Sequence, residues 1–194
     1  FALFGVLTAS AIQPRLVVNI VVGGMKSSDL DRYAVNFSND GFLLLKSGGV
    51  VFTECYTDFV PSSSEMALAT IATGALPSMH GISSTRWYDR TSGNTPIELC
   101  KTPKGAPTTE HFMSPTLAET LAAAESGVRT VTLAHNVNSA MVLAGKSGEC
   151  YWIDDIGNWA TSNCYSAALP EWITKYNESC INRSYIMGTW FGKL

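Results

Sequence analysis

Leu16-Val-Val-Asn-Ile-Val-Val22 is almost unbroken in apolar, mostly β-branched residues and carries no charge. A run of this kind hides both of its faces, as a strand in the interior of a parallel sheet does. That requirement limits the fold to architectures in which helices cover the sheet on both sides. The run stops at Gly23-Gly24, a turn, and Ser28 with Asp29 opens a helix through about Phe37. Strand, glycine turn and helix in that order resemble a nucleotide-binding unit, but no G-x-G-x-x-G follows, so a dinucleotide site is not expected.

The same alternation continues. Asp40-Gly-Phe-Leu-Leu-Leu-Lys46 reads as a short helix closed by Gly48-Gly49, and residues 50–56 read as a second strand. The chain then reaches Asp58-Phe-Val-Pro-Ser-Ser-Ser-Glu-Met-Ala-Leu-Ala-Thr-Ile-Ala-Thr-Gly74. Ser62 with Glu65 forms a capping-box pattern at the start of an apolar helix. The three hydroxyls stand where free backbone N–H groups and the positive helix end attract an anion such as phosphate. Helix capping alone explains the serines and is the reading this stretch by itself favours.

Thr73-Gly-Ala-Leu-Pro-Ser-Met-His-Gly-Ile82 is a loop punctuated by glycine and proline, in which His80 reads as a hydrogen-bonding group ahead of a ligand or base. Residues 94–109 read as a polar, exposed excursion. Pro115 opens the clearest helix, to Ala124, with Gly127 beyond. Residues 128–133 read as a third strand and 139–144 as a helix. Tyr151-Trp-Ile-Asp-Asp155 reads as a strand entering a turn, and adjacent carboxylates on a strand face opposite ways, which argues against a shared cation. Pro170 opens a last helix over 171–177. Strands alternating with helical stretches make this an α/β fold, a mainly parallel central sheet flanked by helices. The order ends without a closing strand, so the reading is an N-terminal part of a longer protein.

Composition narrows the function. Of 194 residues, 46% are apolar and 15% charged, so a packed core is expected. A net charge of −3 with scattered Lys and Arg excludes an electrostatic nucleic-acid footprint. Residues 1–11 are apolar and end in Ala9 and Ala11, spaced as in a signal-peptidase site, and read as what is left of a signal peptide; 12–194 then form the domain. Neither apolar run near the start is long enough to span a membrane, and export to the periplasm or cell envelope is expected. Five cysteines suit an oxidising compartment, with Cys150–Cys164 the favoured pair. No C-x-x-C or zinc-finger spacing is present.

Arg15-Leu-Val-Val-Asn-Ile-Val-Val-Gly-Gly-Met25, Val60-Pro-Ser-Ser-Ser64 and Thr73-Gly-Ala-Leu-Pro-Ser-Met-His-Gly-Ile82 resemble, in that order, the alkaline phosphatase superfamily. The likeness is greatest to PafA-like phosphatases and the nucleotide pyrophosphatase/phosphodiesterases, and Trp87-Tyr-Asp89, Tyr151-Trp-Ile-Asp-Asp155 and Leu169-Pro-Glu-Trp172 add to it. The resemblance implies phosphoryl transfer with two zinc ions activating a Thr or Ser nucleophile. It places the nucleophile on Ser64. It also puts Gly23 where the family has its first metal-ligand Asp, and Leu68 where a His often follows in the helix. Thr85 stands in place of an Asn that holds a phosphate oxygen, and Asn136 and Asn138 in place of a Lys and an Arg. Losing a carboxylate ligand and two cationic clamps removes charge that zinc and phosphate both need.

Three readings follow. The first is an exported, phosphatase-like module with a degenerate site and no bound metal, serving with an envelope protein partner. The second is an active phosphomonoesterase or phosphodiesterase that uses Ser64, two zinc ions and a phosphate ester. The third is a structural α/β module without a ligand.

Overall fold

The computed structural model describes residues 14–60, 63–91, 93 and 95–181. The expected signal-peptide segment, 1–11, lies outside them. Two compact units divide the chain, Phe1–Cys55 and Tyr56–Leu194.

In the first unit, helix α1 (Ser27–Arg32) runs into a 3-10 turn at Ala34–Asn36, and α2 (Phe42–Gly48) follows. The Asp29 carboxylate accepts the Lys26 N–H at 3.0 Å and so satisfies a free donor at the start of α1. Neither helix has a buried residue. The two expected strands are not formed. Residues 16–22 and 50–56 carry no ladder, and Leu16 and Phe52 are 79% and 81% exposed. A β-prone run becomes a strand only when neighbours take up its backbone groups, and the described residues supply none for these two.

The second unit holds the core. Its first helix, α3 (Ser64–Thr73), buries Met66, Ala69 and Ala72. Ser63 is its cap, its hydroxyl accepting the Met66 N–H at 3.2 Å. The expected cap, Ser62, lies outside the described residues; the observed capping serine is one position later. Gly74 ends the helix at φ 66°. Helix α4 (Pro77–His80) starts on Pro77 and ends on Gly81, again left-handed at φ 78°.

Strands β1 (Arg86–Tyr88) and β2 (Pro96–Glu98) form an antiparallel hairpin. Part of the expected exposed excursion is therefore structured: beyond β2, Leu99 and Cys100 are almost wholly buried, at 0% and 1% exposure. Their apolar side chains outweigh the polar residues around them.

Helix α5 (Leu117–Ala124) is capped by Thr116 rather than opened by Pro115, with a full capping box: Glu119 accepts the Thr116 N–H at 2.7 Å. Strand β3 (Val131–Ala134), helix α6 (Val137–Ala144) and strand β4 (Glu149–Ile153) form one crossover, and β3 and β4 pair in parallel. Strand β5 (Trp159–Ala160) closes the sheet antiparallel to β4, and α7 (Glu171–Glu178) follows. Asn177 of α7 replaces a further strand: its amide donates to the Trp159 carbonyl and accepts the Trp159 N–H, both at 2.9 Å.

The core gathers Ala69 of α3, Ile82, Leu99, Cys100, Phe112, Ala140, Met141, Val142 and Ala144 of α6, and Cys150 of β4. Cys150 and Cys164 are not joined. Cys150 is buried, while Cys164 is exposed and donates its thiol to the Pro107 carbonyl at 3.2 Å. Burial pushes the Cys100 and Cys150 thiols up to about 12, so both stay protonated and act as small apolar side chains.

Candidate functional site

Ser64 is the first residue of α3 and is exposed, one position after the capping hydroxyl of Ser63. Its neighbours along the helix have other tasks. Leu68, at the position compared with a family histidine, packs against the core. Gly23 sits in the first unit, with nothing within 4 Å of where a Cβ would stand and with a backbone outside the left-handed region. Gly24, beside it, is the residue of that turn that needs positive φ, at 75°.

The loop that follows α3 explains its own sequence. The Thr73 hydroxyl donates to the Ala69 carbonyl at 2.7 Å and accepts the Ala75 N–H at 3.2 Å. His80, 1% exposed, accepts the Ile82 N–H on Nδ1 at 3.1 Å, which leaves the proton on Nε2 facing the Thr70 hydroxyl at 3.1 Å. Its carbonyl accepts the Met113 N–H. Every polar group of this histidine is thus used to join α3, α4 and the segment before α5. Burial lowers its pKa, opposed by its backbone hydrogen bond. The histidine is a structural, hydrogen-bonding one, the reading given to a lone histidine in this stretch ahead of a ligand or base.

Thr85 enters the hairpin, with its carbonyl accepting the Leu99 N–H at 3.0 Å. Asn136 caps α6: its Oδ1 accepts the Ser139 N–H at 2.8 Å, and its Nδ2 lies 2.9 Å from His135 Nε2. Asn138 is partly buried in the same first turn. Among the described residues, no hydrogen bond joins Ser64, Thr85, Asn136 and Asn138 to one another.

Asn136 stands beside a hollow of about 250 Å³ at the carboxyl ends of the parallel pair β3 and β4, where sheets of this kind bind ligands. Val137, Trp152, Ile153, Asp154 and Asp155 complete its lining. The strand β4 ends at Ile153, so both Asp154 and Asp155 lie in the turn beyond it rather than on the strand. Asp154 Oδ1 accepts the Ile156 and Asn158 N–H groups at 3.0 and 2.8 Å, which holds that turn. No Lys or Arg lines the hollow. Its charge is the reverse of what would hold a phosphoryl group.

Among the described residues, no three His, Cys, Asp or Glu side chains converge as a metal site requires, so they do not by themselves fit a zinc pair. No helix among them is long and apolar enough to cross a membrane.

Residues 17–184 match the type I phosphodiesterase / nucleotide pyrophosphatase family. The chain belongs to that family. It is 26% identical over 196 residues to alkaline phosphatase PafA of Elizabethkingia meningoseptica, a match covering 94% of this chain and 36% of the relative. To alkaline phosphatase PhoV of Synechococcus elongatus it is 25% identical over 199 residues, covering 95% and 36%. The chain thus spans about a third of the length of these relatives. A crystal structure of a PafA variant superposes with a TM-score of 0.79 at 24% identity, covering 88% of this chain and 35% of the other. That variant carries a Thr-to-Ser exchange and Asn, Lys and Arg each replaced by alanine. The fold is the α/β fold of alkaline phosphatases.

Three residues that shape these surfaces were not singled out by the sequence. Asn177 reads as the end of the last helix and Asn158 as part of the turn after Gly157, while Asn163 carried no reading.

Proposed function

We propose that the chain is the N-terminal part of an exported alkaline-phosphatase-like protein whose phosphate and metal site has degenerated, so that the protein binds rather than hydrolyses. One observation carries the reading. At the hollow beside Asn136, where the resemblance places a cationic clamp, the lining is two carboxylates and an amide already used as a helix cap. Ser64, Thr85, Asn136 and Asn138 parallel the kinds of residue exchanged in the PafA variant: a serine for a threonine, and shorter or uncharged groups for Asn, Lys and Arg. Gly23 adds no oxygen or nitrogen donor. Residues 1–11 support export by their composition.

The test is enzymatic. Purified full-length protein supplied with Zn²⁺ should not hydrolyse p-nitrophenyl phosphate or bis-p-nitrophenyl phosphate above background. Turnover that disappears in Ser64→Ala would sink this reading in favour of an active esterase. That second reading is favoured by one feature, the exposed hydroxyl of Ser64 at a helix N-terminus, where backbone N–H groups favour an anion. A pull-down from a cell-envelope extract tests for a protein partner, and its failure together with the absence of ligand binding would leave the structural module.

A further inference from the structure

Asp154 is a shared wall. On its other side from the Asn136 hollow lies a larger one, of about 400 Å³, formed by the segment from Asn158 to Leu169. Its volume is in the range of small-molecule sites. Its floor is held in place: Asn177 grips Trp159 by both backbone groups, and Thr161 donates to the Cys150 carbonyl at 2.7 Å. The chemistry of the lining is narrow. It contains one carboxylate, Asp154, and no Lys, Arg or His. The side-chain amides of Asn158 and Asn163 make no hydrogen bond to the described residues, and Asp154 uses only Oδ1 in its turn. Trp159 and Leu169 supply apolar surface.

A carboxylate without a cation disfavours phosphates and carboxylates as ligands. Unengaged amides and a carboxylate oxygen offer planar donors and acceptors, which hydroxyl groups can match in pairs. An indole offers a flat apolar face to C–H groups. We propose that this hollow binds a neutral polyhydroxylated ligand of monosaccharide size, such as one residue of a glycan. The site lies apart from Ser64 in its chemistry, and its occupancy does not depend on whether the protein hydrolyses phosphate esters.

Saturation-transfer NMR on the purified full-length protein tests it. The probes are methyl α-D-glucopyranoside, N-acetylglucosamine and myo-inositol at tens of millimolar, with glucose 1-phosphate as the anionic control. At least one neutral probe should show transfer to its ring protons, and glucose 1-phosphate should bind more weakly than the neutral glucoside. The paired change Asn158→Ala with Asn163→Ala should weaken binding by about tenfold, the effect of one or two lost hydrogen bonds, while leaving the melting curve in place. No transfer from any of the three neutral probes overturns the proposal. So does a phosphate sugar that binds as tightly as its neutral counterpart. The comparison of neutral with anionic sugar uses the unaltered protein, so a poorly folding variant does not blunt it. Hydrolysis of the nitrophenyl esters is a separate readout, and neither outcome there alters what the sugars should do.

Discussion

Residues 16–22 in the first unit and Val131–Ala134 in the second are both short apolar runs with β-branched residues, yet only the second is a strand. The second has Cys150 and its neighbours in register beside it and packs against α6. The first has no ladder and stands exposed, with Leu16 at 79%. Side-chain character sets what a segment can become; paired backbone and cover set what it does become.

That contrast can be broken by mutation. Met141 is fully buried in α6, so Met141→Ala should cost about 3 kcal/mol in chemical denaturation. Val18→Ala, in the exposed run, should cost less than about 0.5 kcal/mol. Equal losses would mean that the first unit is packed after all. Next in size is Gly145→Ala. Gly145 has φ 73°, and an added Cβ would meet Thr116 Cγ2 at 2.8 Å and crowd the Glu119 carboxylate, so a loss of about 2 kcal/mol is expected. Asn177→Ala leaves both backbone groups of Trp159 without their partner and should cost about 1.5 kcal/mol, with faster amide exchange at Trp159.

Smaller effects sharpen the same comparison. His80 has a lowered pKa in the folded second unit because burial disfavours its charged form. Its contribution to stability is therefore complete above the ordinary histidine value of about 6.5 and is lost as the pH falls through the lower, folded value. Urea midpoints should drop on acidification, and His80→Gln should flatten that slope; an unchanged slope would mean that His80 is not the group responsible. Gly23→Asp should have the least effect, within about 0.5 kcal/mol, because its backbone is not left-handed and nothing lies within 4 Å. A large loss of folded yield there would show that the turn tolerates no side chain.

The sequence carried the helices well, because their signals are local. The apolar helix ended by Gly74 and the helix that follows Pro115 rest on signals within one turn of the chain. By contrast, α4 (Pro77–His80) lay inside a stretch read as a loop, and the cap of α5 is Thr116 with Glu119 rather than Pro115. Even there a one-residue shift occurred at Ser63, since three consecutive serines offer the same hydroxyl. Strands fared worse because pairing is made with distant residues: 16–22 and 50–56 look like strands and are not, while β2 lay hidden in a polar stretch. The same distance hid Cys164, whose thiol meets Pro107 rather than Cys150. For the candidate site, the resemblance to phosphatases named the positions to compare, Ser64, Thr85, Asn136 and Asn138, and nothing of their surroundings. That Asn136 spends its amide on a helix cap, and that Asp154 and Asp155 wall its hollow, required the turn after β4.

Asn177 gives the small sheet a direction of growth. In a three-stranded order of β3, β4 and β5, two rims could accept another strand. At Trp159 the outward N–H and C=O are already occupied by a side chain that offers no further ladder. Among the described residues the rim at β3 bears no such plug, and its Val131 and Leu133 are exposed. A strand that enlarges this sheet, from whatever source, therefore meets a closed door at Trp159 and an open one beside β3.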